Sequence, residues 1–319
     1  MASYNTELPH ISVIIPSYDI TELNNLKDSI DSVLHQEYDN FDIVVITEGE
    51  ELTEKVENKY SRTDSIEIIQ IENEDGGISY ARNKGIEYSE GEIIAYIDSD
   101  ATAEDNWLYN MGKLYSENNE IIAVGGNAIP NWVGNRPKYL PDEFLWLVGV
   151  THSNHPEDGE IIRSSFGCNM SYRRNIFDNI DGFNVELGKN HGFNLQGEEP
   201  ELGSRIIKEY NTGMYYSEDI TVLHTVEPYQ CTIKWLSKRA YLQGRTKSIM
   251  KNNSAETELD TEENYLKSLY LKSIPNYIKS SSNIEKMGNA IYSIFGIIYF
   301  TILVAMGYIR EEMSTLIGY

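Results

Sequence analysis

The chain has 319 residues, enough for one large α/β domain with an appendage and a substantial buried core. Its 26 Lys and Arg face 50 Asp and Glu, and the net charge of −24 argues against nucleic acid, whose phosphates most of the surface repels. Cys168 and Cys231 form no zinc or redox motif, so no disulfide framework is expected and a reducing compartment is the default. The acids are spread along the chain, which fits a protein kept soluble in high salt, where charge repulsion is screened. The native state is therefore expected to melt at higher temperature in molar salt than in dilute buffer. A thermal scan across a salt series checks this, and a flat response removes the halophilic reading.

The N-terminus, Met1 to Asn5, is polar and carries no charged-then-apolar signal peptide. Ile11 to Ile15 reads as a first strand ended by Pro16. Leu23, Leu26, Ile30, Val33 and Leu34 then recur at helical spacing. Phe41 to Ile46 is a second buried strand, followed by an acidic turn at Gly49 and a helix through Leu52, Val56 and Tyr60. Ile66 to Ile71 is a third strand. After Gly76 and Gly77 comes a helix through Ala81, Gly85 and Ile86, then a buried strand from Ile93 to Ile97. This alternation predicts parallel βαβ units with right-handed crossovers. Four of them bring Pro16, Ser17, Tyr18, Glu48, Asn83, Asp98 and Asp100 to one sheet edge, where open α/β sheets bind ligands.

Residue types assign roles along that edge. Asp98 and Asp100, one residue apart, suit a hard divalent cation, which takes oxygen ligands and shares them with phosphates. Tyr18 can stack on a base while Ser17 bonds its polar edge, and Glu48 can accept from a base N–H or a ribose hydroxyl. Gly76 and Gly77 allow close backbone approach, and Arg82 lies one turn into the next helix, where a diphosphate needs a cation. The chain has no Gly-x-Gly-x-x-Gly and no Walker loop, which disfavours dinucleotide redox and P-loop chemistry.

Three stretches resemble the successive signatures of family 2 glycosyltransferases with the GT-A fold. They are Ile-Ser-Val-Ile-Ile-Pro-Ser-Tyr ending at Tyr18, Gly-Gly-Ile-Ser-Tyr-Ala-Arg-Asn-Lys-Gly ending at Gly85, and Gly-Glu-Ile-Ile-Ala-Tyr-Ile-Asp-Ser-Asp ending at Asp100. The resemblance spans roughly residues 10 to 245. It implies a mostly parallel Rossmann-like sheet flanked by helices. It also implies a nucleotide-diphosphate sugar donor touched by Pro16, Ser17, Tyr18, Glu48, Arg82, Asn83, Asp98, Ser99 and Asn169, and Mg²⁺ or Mn²⁺ on Asp100 with Asp98. The family's second strand usually ends in Asp-Asp-Gly, and here it reads Thr47-Glu48-Gly49, with a longer carboxylate.

Downstream, Trp107, Leu108, Met111, Leu114 and Tyr115 mark a helix and Ile121 to Val124 a strand. Asn131 to Asp158 is irregular and aromatic. There Trp132 and Trp146 either floor an acceptor site or plug the core, and His152 and His155 read as loop histidines. Phe166 to Arg174 resembles the family's strand facing sugar and acceptor, with Asn169 as its hydrogen-bonding residue and Cys168 as a packing residue. Asp181-Gly182-Phe183 resembles the family's usual turn before the catalytic helix. That helix is expected to start at Pro200, with Glu199 at its mouth held ionised by the helix dipole. Glu198-Glu199-Pro200-Glu201-Leu202 resembles the family's Glu-Asp-x-Asp-Leu, which makes Glu199 the catalytic base and Glu198 its partner, with Glu in place of Asp at the base.

Ile220 to Leu223 is a short strand leading to His224, a candidate ligand of the ion. Beyond it Arg239, Gln243 and Arg245 share a basic helix read as a contact for the diphosphate or a lipid phosphate. Asn252 to Glu263 reads as a linker, and Leu266 to Ile278 as an interfacial helix kinked at Pro275. Ala290 to Ile309 is apolar and uncharged, about the 20 residues that cross a bilayer. Lys272, Lys279 and Lys286 precede it, which by the positive-inside rule leaves the N-terminal part in the cytoplasm.

The expected organisation is a catalytic domain at residues 1–251, a linker and interfacial helix at 252–287, a single membrane span at 288–309 and a tail at 310–319. The expected activity is inverting sugar transfer to a hydroxyl of a polyprenyl-phosphate-linked acceptor at the cell membrane. A tethered nucleotide-sugar-binding protein without catalysis and a sugar-phosphate nucleotidyltransferase are the alternatives. The intact carboxylates oppose the first, and the absence of a glycine-rich basic loop after the first strand opposes the second.

Overall fold

Strand β1 (Ile11–Ser17) is buried along its whole length, because its apolar residues face helices on both sides of a parallel sheet. The structure, a computed structural model, describes residues 8–72, 77–187, 197–253, 259–280 and 284–317. The polar N-terminus, Gly76 and residues 254–258 of the predicted linker lie outside the described residues. β1 pairs in parallel with β2 (Phe41–Glu48), from Ile11↔Phe41 to Ser17↔Thr47, and β2 pairs in parallel with β3 (Ile66–Ile71). On its other side β1 pairs in parallel with β4 (Ile93–Tyr96). Helices α1 (Leu23–Leu34), α2 (Glu50–Tyr60) and α3 (Gly77–Tyr88) link these strands, as the periodicity predicts.

One detail departs from expectation: β1 does not stop at Pro16. The β1–β4 pairing ends at Ile14↔Tyr96, so the N–H that Pro16 lacks has no ladder partner to satisfy on that side.

The remaining strands turn the sheet mixed. After β4 come β5 (Ala101–Ala103), helix α4 (Trp107–Glu117), β6 (Ala123–Trp132), β7 (Ile161–Ile162) and β8 (Met170–Arg173). Helix α5 (Glu198–Tyr210) and β9 (Met214–Val226) follow. The sheet order is β3-β2-β1-β4-β8-β6-β9-β5, with β7 also paired to β9. β8 runs antiparallel to both β4 and β6, and β5 antiparallel to β9. β6 is longer than the predicted Ile121–Val124 strand and carries Trp132 at its end. Tyr96, Tyr172 and Phe183 meet edge to face in the core beneath the strand ends.

By its contacts the chain divides into two units. One comprises residues 1–129, 156–190 and 198–224, and the other residues 130–155, 191–197 and 225–319. The second unit holds a short 3-10 segment (Asp142–Val148) and helices α6 (Ile233–Asn253), α7 (Leu259–Ser268), α8 (Ile274–Ser280) and α9 (Ile284–Ile317). A π turn at Leu269–Ser273 joins α7 to α8, a wide turn that absorbs the donor missing at Pro275. The Lys286–Leu316 stretch of α9 is long and apolar enough to cross a membrane.

Candidate active site

The acid pair sits where β4 ends. The Asp98 carbonyl accepts from Ser29 Oγ at 3.2 Å and from the Ala101 N–H at 3.0 Å, which fixes the turn between the two carboxylates. β5 then pairs Ala101 with His224 of β9 and brings the His224 Nε2 to 3.4 Å from Asp100 Oδ1. One ligand atom each from Asp98, Asp100 and His224 lies within 4.8 Å of the others. Burial pushes the Asp98 carboxyl above its ordinary range against the pull of Arg82. Burial acts the same way on Asp100, but the facing His224 outweighs it and holds that carboxyl low. Two carboxylates and an imidazole at this spacing fit a divalent ion of the Mg²⁺ or Mn²⁺ kind.

The second centre is carried by α5. The helix begins at Glu198, so Pro200 occupies its third position and not its first. Arg82, on α3 and 2 % exposed, reaches both centres with one guanidinium. Its Nη1 donates to Glu199 Oε1 at 3.1 Å and to Glu198 Oε1 at 3.4 Å, and its Nη2 to Asp98 Oδ1 at 3.3 Å. The guanidinium also lies 5.3 Å from the centre of the Phe183 ring. The sequence places Arg82 where a diphosphate needs a cation; in the fold its fork joins three carboxylates, a bridge that no local spacing reveals. The helix dipole does not hold Glu199 ionised in the ordinary carboxylate range. Burial, then the adjacent charge of Glu198, raise its carboxyl to about 7 against the pull of Arg82.

Gly167 makes room for this bridge: a Cβ there meets the Arg82 Nη2 and comes within 2.6 Å of Glu199 Oε1. Gly167→Ala is expected to destabilise the fold by about 1–3 kcal/mol, the range for overpacking a filled interior, and to lower kcat more than it raises KM. Denaturant unfolding and steady-state kinetics check both. A variant with wild-type kcat removes the bridge from the chemistry.

Along the rest of the edge, Tyr18 is 62 % exposed just beyond β1, while Ser17 is buried with its Oγ unpartnered among the described residues. Glu48 closes β2 half-buried. Glu22, which the sequence reading did not single out, bonds Ser99, and its carboxyl is raised by burial and then by Asp100. Only the turn at Ile20–Glu22 brings it there, and no motif signals it.

Two predicted ligand contacts also brace the fold. The Asn83 side chain closes on both the N–H and the carbonyl of Phe183, at 2.7 and 2.8 Å, and pins the Asp181-Gly182-Phe183 turn. Asn169 is fully buried. It accepts from Trp107 Nε1 at 2.9 Å and donates to the Asn127 and Ile220 carbonyls, both at 2.8 Å. These three bonds tie it to helix α4 and to strands β6 and β9.

Trp132, Trp146, Arg239, Gln243 and Arg245 belong to the second unit. Trp146 donates to the Tyr265 hydroxyl at 2.9 Å and packs beside Phe144. Trp132 is half-buried at the end of β6. Arg239 lies over the Trp235 ring, and Arg245 pairs with Glu311 at 2.6 Å. The His152 ring meets His155 edge to face, and burial, then His155, push it down to about 3, which leaves it neutral at physiological pH.

The sequence model of the family described as Glycosyl transferase family 2 matches residues 12–181. The chain is 29% identical over 300 residues to a glucosyl-dolichyl phosphate glucuronosyltransferase of Haloferax volcanii, covering 94% of this chain and 95% of that protein. It is 35% identical over 125 residues to glycosyltransferase AglE of the same organism, covering 38% of this chain and 40% of that one. Among solved structures it is similar to mannosyltransferase PcManGT from Pyrobaculum calidifontis in complex with GDP-Man and Mn²⁺. The TM-score is 0.62 at 14% identity, over 96% of this chain and 89% of that one. It is also similar to S. aureus TarS 1-349 in complex with UDP-GlcNAc, with a TM-score of 0.55 at 17% identity over 97% and 92% of the two chains. These two likenesses establish the GT-A fold.

Proposed function

The chain belongs to glycosyl transferase family 2 and is a glycosyltransferase, and from that premise we propose that it moves a sugar from a nucleotide-diphosphate donor to a hydroxyl of a lipid-linked acceptor, with inversion at the anomeric carbon. The observation that carries this reading is the Arg82 bridge, which sets Glu199 and Asp98 on one guanidinium at 3.1 and 3.3 Å. In the proposed reaction Glu199 accepts the acceptor hydroxyl proton as the oxygen attacks the anomeric carbon, and the bond from that carbon to the diphosphate breaks on the opposite face. Glu198 keeps the local charge negative and sustains the basicity of Glu199. Asp98, Asp100 and His224 would hold Mg²⁺ or Mn²⁺, and such an ion would supply positive charge to the diphosphate leaving group. Tyr18, Ser17, Glu48 and Ser99 receive the base and ribose, with Glu22 bracing Ser99.

The named acceptor chemistry of the Haloferax relative, a glucosyl-dolichyl phosphate, supports a polyprenyl-phosphate-linked acceptor. The solved neighbours hold GDP-Man and UDP-GlcNAc, so the fold accommodates more than one nucleotide. The apolar α9 supports attachment to the cell membrane, and Lys272, Lys279 and Lys286 before it favour the cytoplasmic side for the catalytic residues.

A thermal-shift panel of nucleotide sugars with and without Mn²⁺ tests the donor. A true donor at 100 times its Kd stabilises the native state by about 2.7 kcal/mol. The ion-dependent part of the shift is expected to vanish in Asp100→Ala. Stabilisation by a nucleotide sugar without turnover on any lipid-linked acceptor favours a binding protein, and pyrophosphate release from a nucleoside triphosphate and a sugar phosphate favours a nucleotidyltransferase.

A further inference from the structure

We propose that α9 does not cross the bilayer but lies along an anionic membrane surface, with one apolar stripe sunk among the headgroups. This seating rests on the membrane attachment proposed above and departs from the single crossing that the apolar run from Ala290 to Ile309 predicts.

The two sides of α9 differ. Ile291, Phe295, Ile298, Ile302, Met306 and Ile309 fall three or four residues apart on one face and are 43 to 60 % exposed. This spacing forms one continuous stripe along a helix of 34 residues, about 51 Å long at helical rise. The other face is covered by protein, with Ile297 and Phe300 fully buried. At Gly296 the backbone of α9 comes so close to Tyr139 and Pro141 that a Cβ there collides with the Tyr139 carbonyl. At Gly307 it makes the same approach to the Tyr241 carbonyl of α6.

What covers that face is part aromatic, with Phe144 5.6 Å from the Phe300 ring, and part polar. Ser237 of α6 bonds the Tyr299 hydroxyl at 3.0 Å, Arg245 pairs with Glu311 at 2.6 Å, and Ser248 bonds Glu312 at 3.0 Å. The loop that meets Gly296 carries the half-exposed Arg136–Asp142 ion pair, at 2.6 Å. Gly296 to Phe300 is the middle of the apolar run. If α9 crossed the bilayer, its packing partners would sit at hydrocarbon depth, where irregular backbone and charged side chains are strongly disfavoured. Laid in the interface, the same helix buries its stripe and leaves those partners in water.

Charge identifies the surface. In a chain of net charge −24, α6 carries Lys234, Lys238, Arg239, Arg245, Lys247 and Lys251 and no acid. Residues 264–284 carry Lys267, Lys272 and Lys279, again with no acid. Lys234, Lys238, Lys251, Lys272 and Lys279 are exposed. Basic segments beside an apolar stripe suit anionic lipid, which the acidic remainder of the chain repels.

Flotation of the full-length protein with vesicles of phosphatidylcholine alone, or with added phosphatidylglycerol, tests the seating. Binding is expected to favour the anionic vesicles. The double variant Ile298→Glu/Ile302→Glu, on solvent-facing positions, is expected to lose more than about tenfold in vesicle affinity while its melting temperature and donor hydrolysis stay at wild-type values. In sealed inside-out membrane vesicles, protease added outside is expected to remove a tag placed after Tyr319. Protection of that tag means that α9 crosses, and overturns the proposal. Equal binding to neutral and anionic vesicles also overturns it. A stripe variant that turns a dimer into a monomer without losing vesicle affinity makes the face an interface between two copies of the chain, and overturns it too. Loss of sugar transfer with flotation and tag cleavage intact bears on the catalytic reading alone.

Discussion

Glu199→Gln is expected to lower kcat by about 10²- to 10⁴-fold, the usual contribution of a general base, with little change in KM for the donor. The amide keeps the shape of the side chain and an oxygen for Arg82 Nη1, which now stands 3.1 Å from Glu199 Oε1, so the fold has no reason to move. What it removes is the capacity to take a proton. The wild-type enzyme is expected to show kcat/KM rising with pH through a limb near 7, because burial, and then Glu198, hold the Glu199 carboxyl up to about 7 and only its ionised form accepts a proton. In the variant that limb disappears.

The same group sets a stability trend of opposite direction. A carboxyl that binds its proton more tightly in the folded state contributes fully below its unfolded pKa, and that contribution is lost as the pH climbs to about 7. Glu199→Gln does not titrate, so relative to wild type it should gain stability between mildly acidic and neutral pH. Wild-type turnover in this variant, or an unchanged pH limb, removes Glu199 from the role of base. Asp100→Ala serves as the companion. It is expected to lose transfer as well, but without the recovery of stability with pH that marks Glu199.

The sequence shows the outline of this site because its outline is local. Ile93 to Ile97 is an unbroken apolar run and Asp98 follows at once, so strand end and acid come from one stretch of chain. Glu199 beside Pro200 marks a helix start to within two residues. Other features depend on partners 50 or more residues away, where residue type alone is ambiguous. Asn83 and Asn169 have the chemistry of ligand contacts, and only the fold shows their bonds to Phe183 and Trp107, which make them braces as well. Arg82 reads equally well as a phosphate cation or a buried bridge until the 116- and 117-residue separations to Glu198 and Glu199 are closed by folding. The acidity of Glu199 fails for the same reason: the helix dipole is visible in sequence, while the burial that outweighs it is not. The apolar run of α9 gives length and composition, but the protein packed on one side of it appears only in the fold.

Arg82→Met is the variant with the largest expected effect on the fold. It leaves Asp98, Glu198 and Glu199 without the cation they share, in surroundings where Glu198 is only 4 % exposed. Removing one partner of a buried ion pair typically costs about 3–5 kcal/mol. That loss should be greatest above neutral pH, where Asp98 and Glu199, both held above the ordinary carboxylate range by burial, are most fully ionised, and should shrink in acid as these two protonate. Arg82→Lys separates charge from geometry. Its ammonium keeps the positive charge but cannot present the planar fork that reaches Asp98 through Nη2 while Nη1 serves the two glutamates. The Lys variant is therefore expected to fold, to bind donor with nearly the wild-type KM, and to lose kcat. An ammonium that cannot make the guanidinium's bond to Glu199 lowers its carboxyl less, so that carboxyl rises further and the rate limb moves to higher pH. That displacement is the readout a purely structural arginine does not give. Combining Arg82→Lys with Glu199→Gln should cost less than the two changes added together, because residues in one ion-pair network couple by about 0.5–3 kcal/mol. Strict additivity, with the rate limb of Arg82→Lys unmoved, leaves Arg82 as packing and returns the setting of Glu199 to burial and Glu198 alone.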